Sequence, residues 1–373
     1  MPTGAPSAAG PRGGSAFAML ALGAVTAVAL GSMAAAANGH RFSLGAVTAR
    51  LDVGITVLFV MAGYLLYLPL ARAVTADTAR PAARRSLRRL ALRFLPAYWV
   101  VLLIAAFIYR QAQPMTALDL ASYLTLTNIY APDTFLGPIP LAWALATGAA
   151  FCVFLPLFAW CVARPSAEES RRVRHQWIGL AAMVLVAVVF RTWVVSLDAP
   201  QLTVLSRRAW LFNHLDTFAV GMALALAQVV RERRIEQGES SAWSAQVWRR
   251  ISFAGAAVAV VAFVVLVALG LSRQALVFPA PQEWARHVLT LAIGAGLVIA
   301  VAAGSRGPWF AVPTLPWGLG RWPARLAYGV FLWHGLVITV YGSRHPDAAF
   351  NLSFLRMALF VIPIVVLLAA LTW

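Results

Sequence analysis

The sequence predicts an all-α polytopic integral membrane protein with about ten transmembrane helices and both termini in the cytoplasm. Three observations predict it. Of 373 residues, 61% are hydrophobic and only 12% charged, with a mean hydropathy of +0.77. A soluble domain is about half apolar and a quarter charged, so this chain carries more apolar surface than soluble cores can hide. Second, the apolar residues gather into runs long enough to cross a bilayer, which takes about 20 residues. Third, the net charge of +17 comes from 30 basic residues, all of them arginine, against 13 acidic ones, and the arginines are unevenly spread.

The runs follow in order. They lie near Phe17 to Ala37, Val53 to Ala71, Phe94 to Tyr109, Leu141 to Val162, Trp177 to Ser196, Leu215 to Val230, Ile251 to Leu271, Trp284 to Ala303, Ala324 to Tyr341, and Ser353 to Trp373. The third and sixth are short and need flanking residues or local thinning of the bilayer. The first is longer than a signal-peptide core, which favours a retained helix over a cleaved one, although Ala34 to Ala37 supplies the small residues of a cleavage site. Residues 1–16, rich in Gly, Ala, Pro and Ser, form an expected disordered cytoplasmic tail, and residues 17–373 one transmembrane domain.

With the N-terminus inside, 20 of the 30 arginines fall in cytoplasmic segments, the densest block being Arg80 to Arg93. The positive-inside rule then sets the orientation. A nucleic-acid partner is excluded, since no soluble face gathers the arginines. The expected location is the cell membrane, multi-pass, in contact with membrane lipids. No internal repeat or matched pair of broken helices supports a transporter. Cys152 and Cys161 are too few for a disulfide framework or a zinc site, so no metal is expected; nine residues apart on a helix, they face opposite ways and read as buried small hydrophobes.

Ionisable residues inside the membrane are functional pointers because leaving them unpaired costs several kcal/mol. Asp52, Arg191, Asp216 and His334 are the ones in or near the runs. On residue chemistry His334 fits an interhelical hydrogen bond or a proton acceptor. Asn213 or His214 with Asp216 suits a helix cap, because residues two apart do not face each other on a helix. Arg85, Arg88, Arg89 and Arg93 share one helix face. That stripe suits anionic lipid headgroups, or the phosphates of coenzyme A held by guanidinium forks. The outer segment Leu124 to Tyr130, with Asp133 and Leu136 to Trp143, is polar and aromatic, as an interfacial belt or a sugar-stacking platform would be.

Five stretches in order resemble the acyltransferase-3 family of membrane acyltransferases. Phe59-Val60-Met61-Ala62-Gly63-Tyr64-Leu65-Leu66-Tyr67 is similar to the family's FFVLSGFLLY helix. Arg88 to Trp99 resembles RR-x-x-RI-x-PAYW, the Trp143 helix WSL-x-x-E, His214 to Met222 LD-x-FA-x-GM, and Ala327 to His334 SYGIYLWH. The resemblance implies O-acyl transfer from acyl-CoA to a hydroxyl of a glycan, lipid or other cell-envelope acceptor, with a membrane histidine as general base and a carboxylate orienting its ring. It also implies coenzyme A contacts at Arg85, Arg88, Arg89 and Arg93, and acceptor contacts among Tyr98, Trp99, Trp143 and Trp333. The family's first-helix Arg and His have no counterpart in Phe17 to Ala37, and its fourth-helix Glu is Gly148. His334, Asp216 and His40 are the remaining catalytic candidates. The alternative function is a non-catalytic member acting as a binding or partner subunit, one that holds a lipid, a glycan or a membrane-protein partner.

Overall fold

A computed structural model describes residues 11–37, 45–109, 115–135, 137–139, 141–163, 168–239, 241, 243–272, 277–305, 322–344 and 354–372. The helices are α1 (Pro11–Ala36), α2 (Gly45–Thr48), α3 (Val53–Thr75), α4 (Ala83–Tyr109), α5 (Ala117–Leu124), α6 (Pro132–Phe135), α7 (Ala142–Val162), α8 (Glu169–Val195), α9 (Gln201–Arg208), α10 (Leu215–Glu236), α11 (Ala245–Ala268), α12 (Ala280–Gly304), α13 (Trp322–Arg344) and α14 (Phe354–Leu371). Among the described residues there is no strand. Nine of these helices are long and apolar enough to cross a membrane. A tenth span is counted when α9 and the segment Leu211–Glu236, which meet at a 62° bend, are taken together.

Every one of the ten expected runs falls on a helix; several helices extend beyond the hydrophobic stretch, while α11 ends at Ala268, short of the expected Leu271. The third and sixth reach full length because α4 continues back through the arginine block to Ala83 and α10 forward through Arg231, Arg233 and Arg234. Arginine is a good helix former and can carry its charge to the interface on a long stem, so it need not end a helix there. Likewise α1 begins at Pro11 rather than at Phe17, so the last residues of the expected tail are helical.

The chain divides into two compact units. The first comprises Met1–Leu58, Ser241–Arg273 and Val288–Trp373. Here α13 packs along α1 and along α14. From Leu326 to Val337 it is buried on every face, as expected of a helix that is apolar all round. Small residues bring the backbones together. A methyl added at Gly255 on α11 would lie 2.7 Å from the Gly296 carbonyl on α12, and Ser252 donates to the Ala300 carbonyl beside it at 2.8 Å. Lipid supplies no hydrophobic drive between helices, so close backbone contact and such hydrogen bonds hold them. The buried Arg50 donates to the Leu271 carbonyl.

The second unit comprises Phe59–Ser240 and Gln274–His287. Its centre is an aromatic stack in which Phe218 lies 4.8 Å from Phe59 and 3.9 Å from Phe151, ring centre to ring centre. Beside the stack α3 and α10 touch through glycines, a methyl at Gly221 falling 2.7 Å from the Tyr64 nitrogen. At one end of the unit buried Gln176 accepts from Tyr67 Oη at 2.7 Å and donates to Thr75 Oγ1 at 3.0 Å. Arg72 pairs with Glu232, and Arg233 with Glu169, each at 3.0 Å. At the other end α5, α6, α9 and two short 3-10 turns, Asn128–Tyr130 and Leu211–His214, form a polar cap over the helices. Thr116 and Asp119 close a capping box at the start of α5, with bonds of 3.1 and 2.8 Å.

Of the two cysteines, Cys152 is partly buried and Cys161 is exposed on α7. The expectation that both are buried fails for Cys161 because the outward face of a membrane helix is covered by lipid rather than by protein.

Candidate functional site

Five ionisable side chains converge in the cap of the second unit. Asp216, in the first turn of α10, meets His287 of α12 at 2.5 Å, Oδ2 to Nε2. Its other oxygen accepts from the Thr217 backbone N–H at 2.7 Å and lies 3.7 Å from Arg191 Nη2 on α8. Glu283, one helical turn before His287, receives Arg208 at 3.1 Å and Arg191 at 4.0 Å. Asp216, Arg191 and Glu283 are each 4% exposed and His287 8%. Two arginines and two carboxylates balance, which is what such burial requires. Arg191 also donates to the Asn213 carbonyl, and the Trp284 ring lies 5.8 Å from its guanidinium carbon.

The expected cap of the sixth run is not formed as such. His214 occupies the position before α10 without a side-chain capping bond, and Asn213 Nδ2 donates to the Arg208 carbonyl at 2.8 Å. Asp216 serves the helix start from inside the first turn, through Thr217, while reaching sideways to His287. At the bend between α9 and α10 the first turn of α10 meets α8 and the first turns of α12 through Asp216, contacts that a local cap reading did not anticipate.

His287, Glu283 and Arg208 were not singled out in the sequence. A signal existed: Glu283 and His287 are four apart on a helix and share a face. Their partners lie 71 to 92 residues away, from Asp216 to His287 and from Arg191 to Glu283, a distance over which no local pattern speaks.

In the first unit His334 is 1% exposed on α13. Its Nδ1 lies 2.9 Å from the Val330 carbonyl. A carbonyl only accepts, so Nδ1 carries the hydrogen and Nε2 presents a bare lone pair. Nε2 is buried and has no hydrogen-bond partner among the described residues. Trp333, next to it, donates from Nε1 to Thr372 Oγ1 at 2.8 Å, tying α13 to the end of α14. His40 lies outside the described residues.

The arginine stripe stands as the spacing predicted. Arg84, Arg85, Arg88, Arg89 and Arg93 are all exposed on α4. Tyr98 is buried and donates to the Tyr123 carbonyl at 2.9 Å, and half-exposed Trp99 donates to the Leu124 carbonyl at 3.1 Å, so both hold α4 against the cap. Trp143 stacks on His214 with centroids 5.9 Å apart and meets the edge of Phe59 at 6.4 Å.

Residues 17–373 match the acyltransferase domain of the acyltransferase-3 type, essentially the whole helical chain. The chain belongs to the acyltransferase-3 family. No curated protein and no solved structure matches it. Against the family pattern, this member's α1 holds no histidine, and at Gly148, where the family's glutamate would stand on α7, an added methyl would meet nothing within 4 Å.

Proposed function

We propose that this acyltransferase-family protein transfers an acyl group from acyl-CoA to a hydroxyl of a cell-envelope glycan or lipid. The observation that carries the reading is His334, a buried imidazole with its hydrogen fixed on one nitrogen and a bare lone pair on the other. In the step, His334 Nε2 takes the proton of the acceptor hydroxyl as the oxygen bonds to the thioester carbonyl carbon. The carbon–sulfur bond then breaks and coenzyme A leaves as its thiolate, which recovers a proton. A positioned base of this kind contributes about a hundredfold or more. Arg85, Arg88, Arg89 and Arg93 fit the donor: exposed guanidiniums on one face of α4, with no acidic partner among the described residues, suit the phosphates of coenzyme A. The buried carboxylate–imidazole pair Asp216–His287 is a structural tie in this reading, since the Asp216 charge is already balanced by Arg191.

One observation favours a second reading, a non-catalytic member that binds a partner enzyme: the space at Gly148 is open where the family has a carboxylate. Release of free thiol from acetyl-CoA by the purified protein separates the two. On the first reading His334→Ala lowers release at least about a hundredfold, and an unimpaired variant removes His334 from the chemistry. Absence of release by the wild type, with coenzyme A still bound in a manner lost on Arg88→Ala/Arg89→Ala, supports the second.

A further inference from the structure

Helix α4 is longer than its apolar stretch. Its 27 residues open with an arginine-rich part, Arg84, Arg85, Arg88, Arg89 and Arg93, and the apolar part from Phe94 to Tyr109 spans only about 24 Å. The hydrocarbon core of a bilayer is about 30 Å thick, so about one further turn is drawn into its boundary. That turn is Arg89 to Arg93, and guanidiniums there rise on their long stems to the level of the lipid phosphates. Other arginines at this end of the unit have carboxylates: Arg72 has Glu232, Arg171 has Glu168 and Arg233 has Glu169. The arginines of α4 have none among the described residues.

Packing settles which way these charges face. Val101, Leu102 and Ala105 are fully buried, and Tyr98 beside them bonds to the Tyr123 carbonyl, so that side of α4 is turned to the protein. At about 100° per residue, the opposite side gathers Arg85, Arg89 and Arg93 with Leu92, Leu103 and Phe107 into a sector of about 100°. Leu92 is 64% exposed and Phe107 72%, as residues against lipid acyl chains are. One outward face therefore presents unpaired guanidiniums directly above a strip of bare apolar side chains. A water-soluble phosphate meets only the charges. A phospholipid meets both, its phosphate in the guanidinium forks and its acyl chains along Leu92, Leu103 and Phe107. An anionic headgroup suits the site better than a zwitterionic one, whose own cation the neighbouring arginines repel, and each arginine near an anionic bilayer surface is worth about fivefold in affinity.

We infer that the outward face of α4 holds an anionic phospholipid, as a bound partner and not as an acceptor of the acyl group, with Arg85, Arg89 and Arg93 on its headgroup phosphate. The inference does not rest on the donor reading, which gives the same arginines to coenzyme A, and the test keeps the two sources of phosphate apart. The detergent-purified full chain is titrated with phosphatidylglycerol and with phosphatidylcholine of the same acyl chains, and bound lipid is counted by native mass spectrometry. The first phosphatidylglycerol is expected to bind at least about tenfold more tightly than phosphatidylcholine, and Arg85→Gln/Arg89→Gln/Arg93→Gln to abolish that preference. Arg84→Gln/Arg171→Gln/Arg174→Gln removes the same charge from exposed positions at the same end but outside the sector, and keeps the preference. Equal affinity of the wild type for the two lipids overturns the inference, as does an equal loss in both triple variants, which would reduce the effect to net charge. Coenzyme A binding, measured by calorimetry without added lipid, reports on the donor reading alone. A lipid preference carried by the sector sustains the inference whether or not coenzyme A binds, and coenzyme A binding lost with the sector in a protein without lipid preference leaves these arginines to the donor and overturns it.

Discussion

A buried charge is tolerated when its partners arrive from elsewhere in the fold, and Arg191 shows how. It sits at the end of α8 with Asp216 at 3.7 Å, Glu283 at 4.0 Å and the Asn213 carbonyl around it. Removing one member leaves the others charged in a dry site, a change that costs about 3–5 kcal/mol. Glu283→Gln, which deprives Arg208 and Arg191 together, is therefore expected to destabilise the protein by about 3 kcal/mol or more, read as a fall in midpoint in detergent unfolding. A change under about 1 kcal/mol would mean that the cluster is hydrated and worth no more than a surface pair. His334 differs in kind. Among the described residues it bonds only to its own helix, so His334→Ala removes little that holds elements together, and the expected cost is the cavity term of one buried ring, about 2–4 kcal/mol.

Among the helices, glycine marks where elements touch. Gly221 on α10 faces the Val60 and Tyr64 backbone of α3, and a methyl there would lie 2.7 Å from the Tyr64 nitrogen. Backbone cannot swing aside as a side-chain end can, so Gly221→Ala is expected to separate the two helices and cost about 1–3 kcal/mol. Gly148 on α7 supplies the control. With nothing within 4 Å of the added methyl, Gly148→Ala gains the helix preference of alanine, about 1 kcal/mol. The two variants should move thermal unfolding in opposite directions, and a shared direction would refute the packing argument. The same logic explains why the apolar periodicity of α13 says so little: a helix buried from Leu326 to Val337 has no polar face to betray its orientation.

For the whole molecule, the positive-inside rule makes a prediction that packing does not. The arginines at the start of α4 belong in the cytoplasm and the cap around Asp133 outside. In a variant with Cys152 and Cys161 replaced, a cysteine at Ser86 should react with a membrane-impermeant thiol reagent only after the membrane is permeabilised. One at Asp133 should react from outside, and the reverse pattern would invert the topology. Much of the architecture was legible in the chain because burying a helix in lipid needs only length and apolarity, both written locally. Ten runs gave ten helices. Their ends were less legible, since arginine-rich turns continue α4 and α10 beyond the hydrophobic stretch. The candidate site was legible in part. Asp216, Arg191 and His334 stood out as ions or imidazoles among apolar neighbours, while Glu283 and His287 looked like ordinary polar residues at a helix start.

By itself the sequence determined the class of the protein: helices that must cross a bilayer, their number, the concentration of arginine at one set of ends, and the motifs of the acyltransferase-3 family along 17–373. Hydropathy, charge asymmetry and helical spacing act within a turn or a span, so a linear reading captures them. Only the tertiary structure decided which polar groups are satisfied. It paired Asp216 with His287, gave Asp216 and Glu283 to Arg191 and Arg208, and left His334 Nε2 and the Asn128 amide without partners among the described residues. Satisfaction of a buried polar group depends on what other helices bring within about 3 Å, and that is a property of packing, written nowhere along the chain.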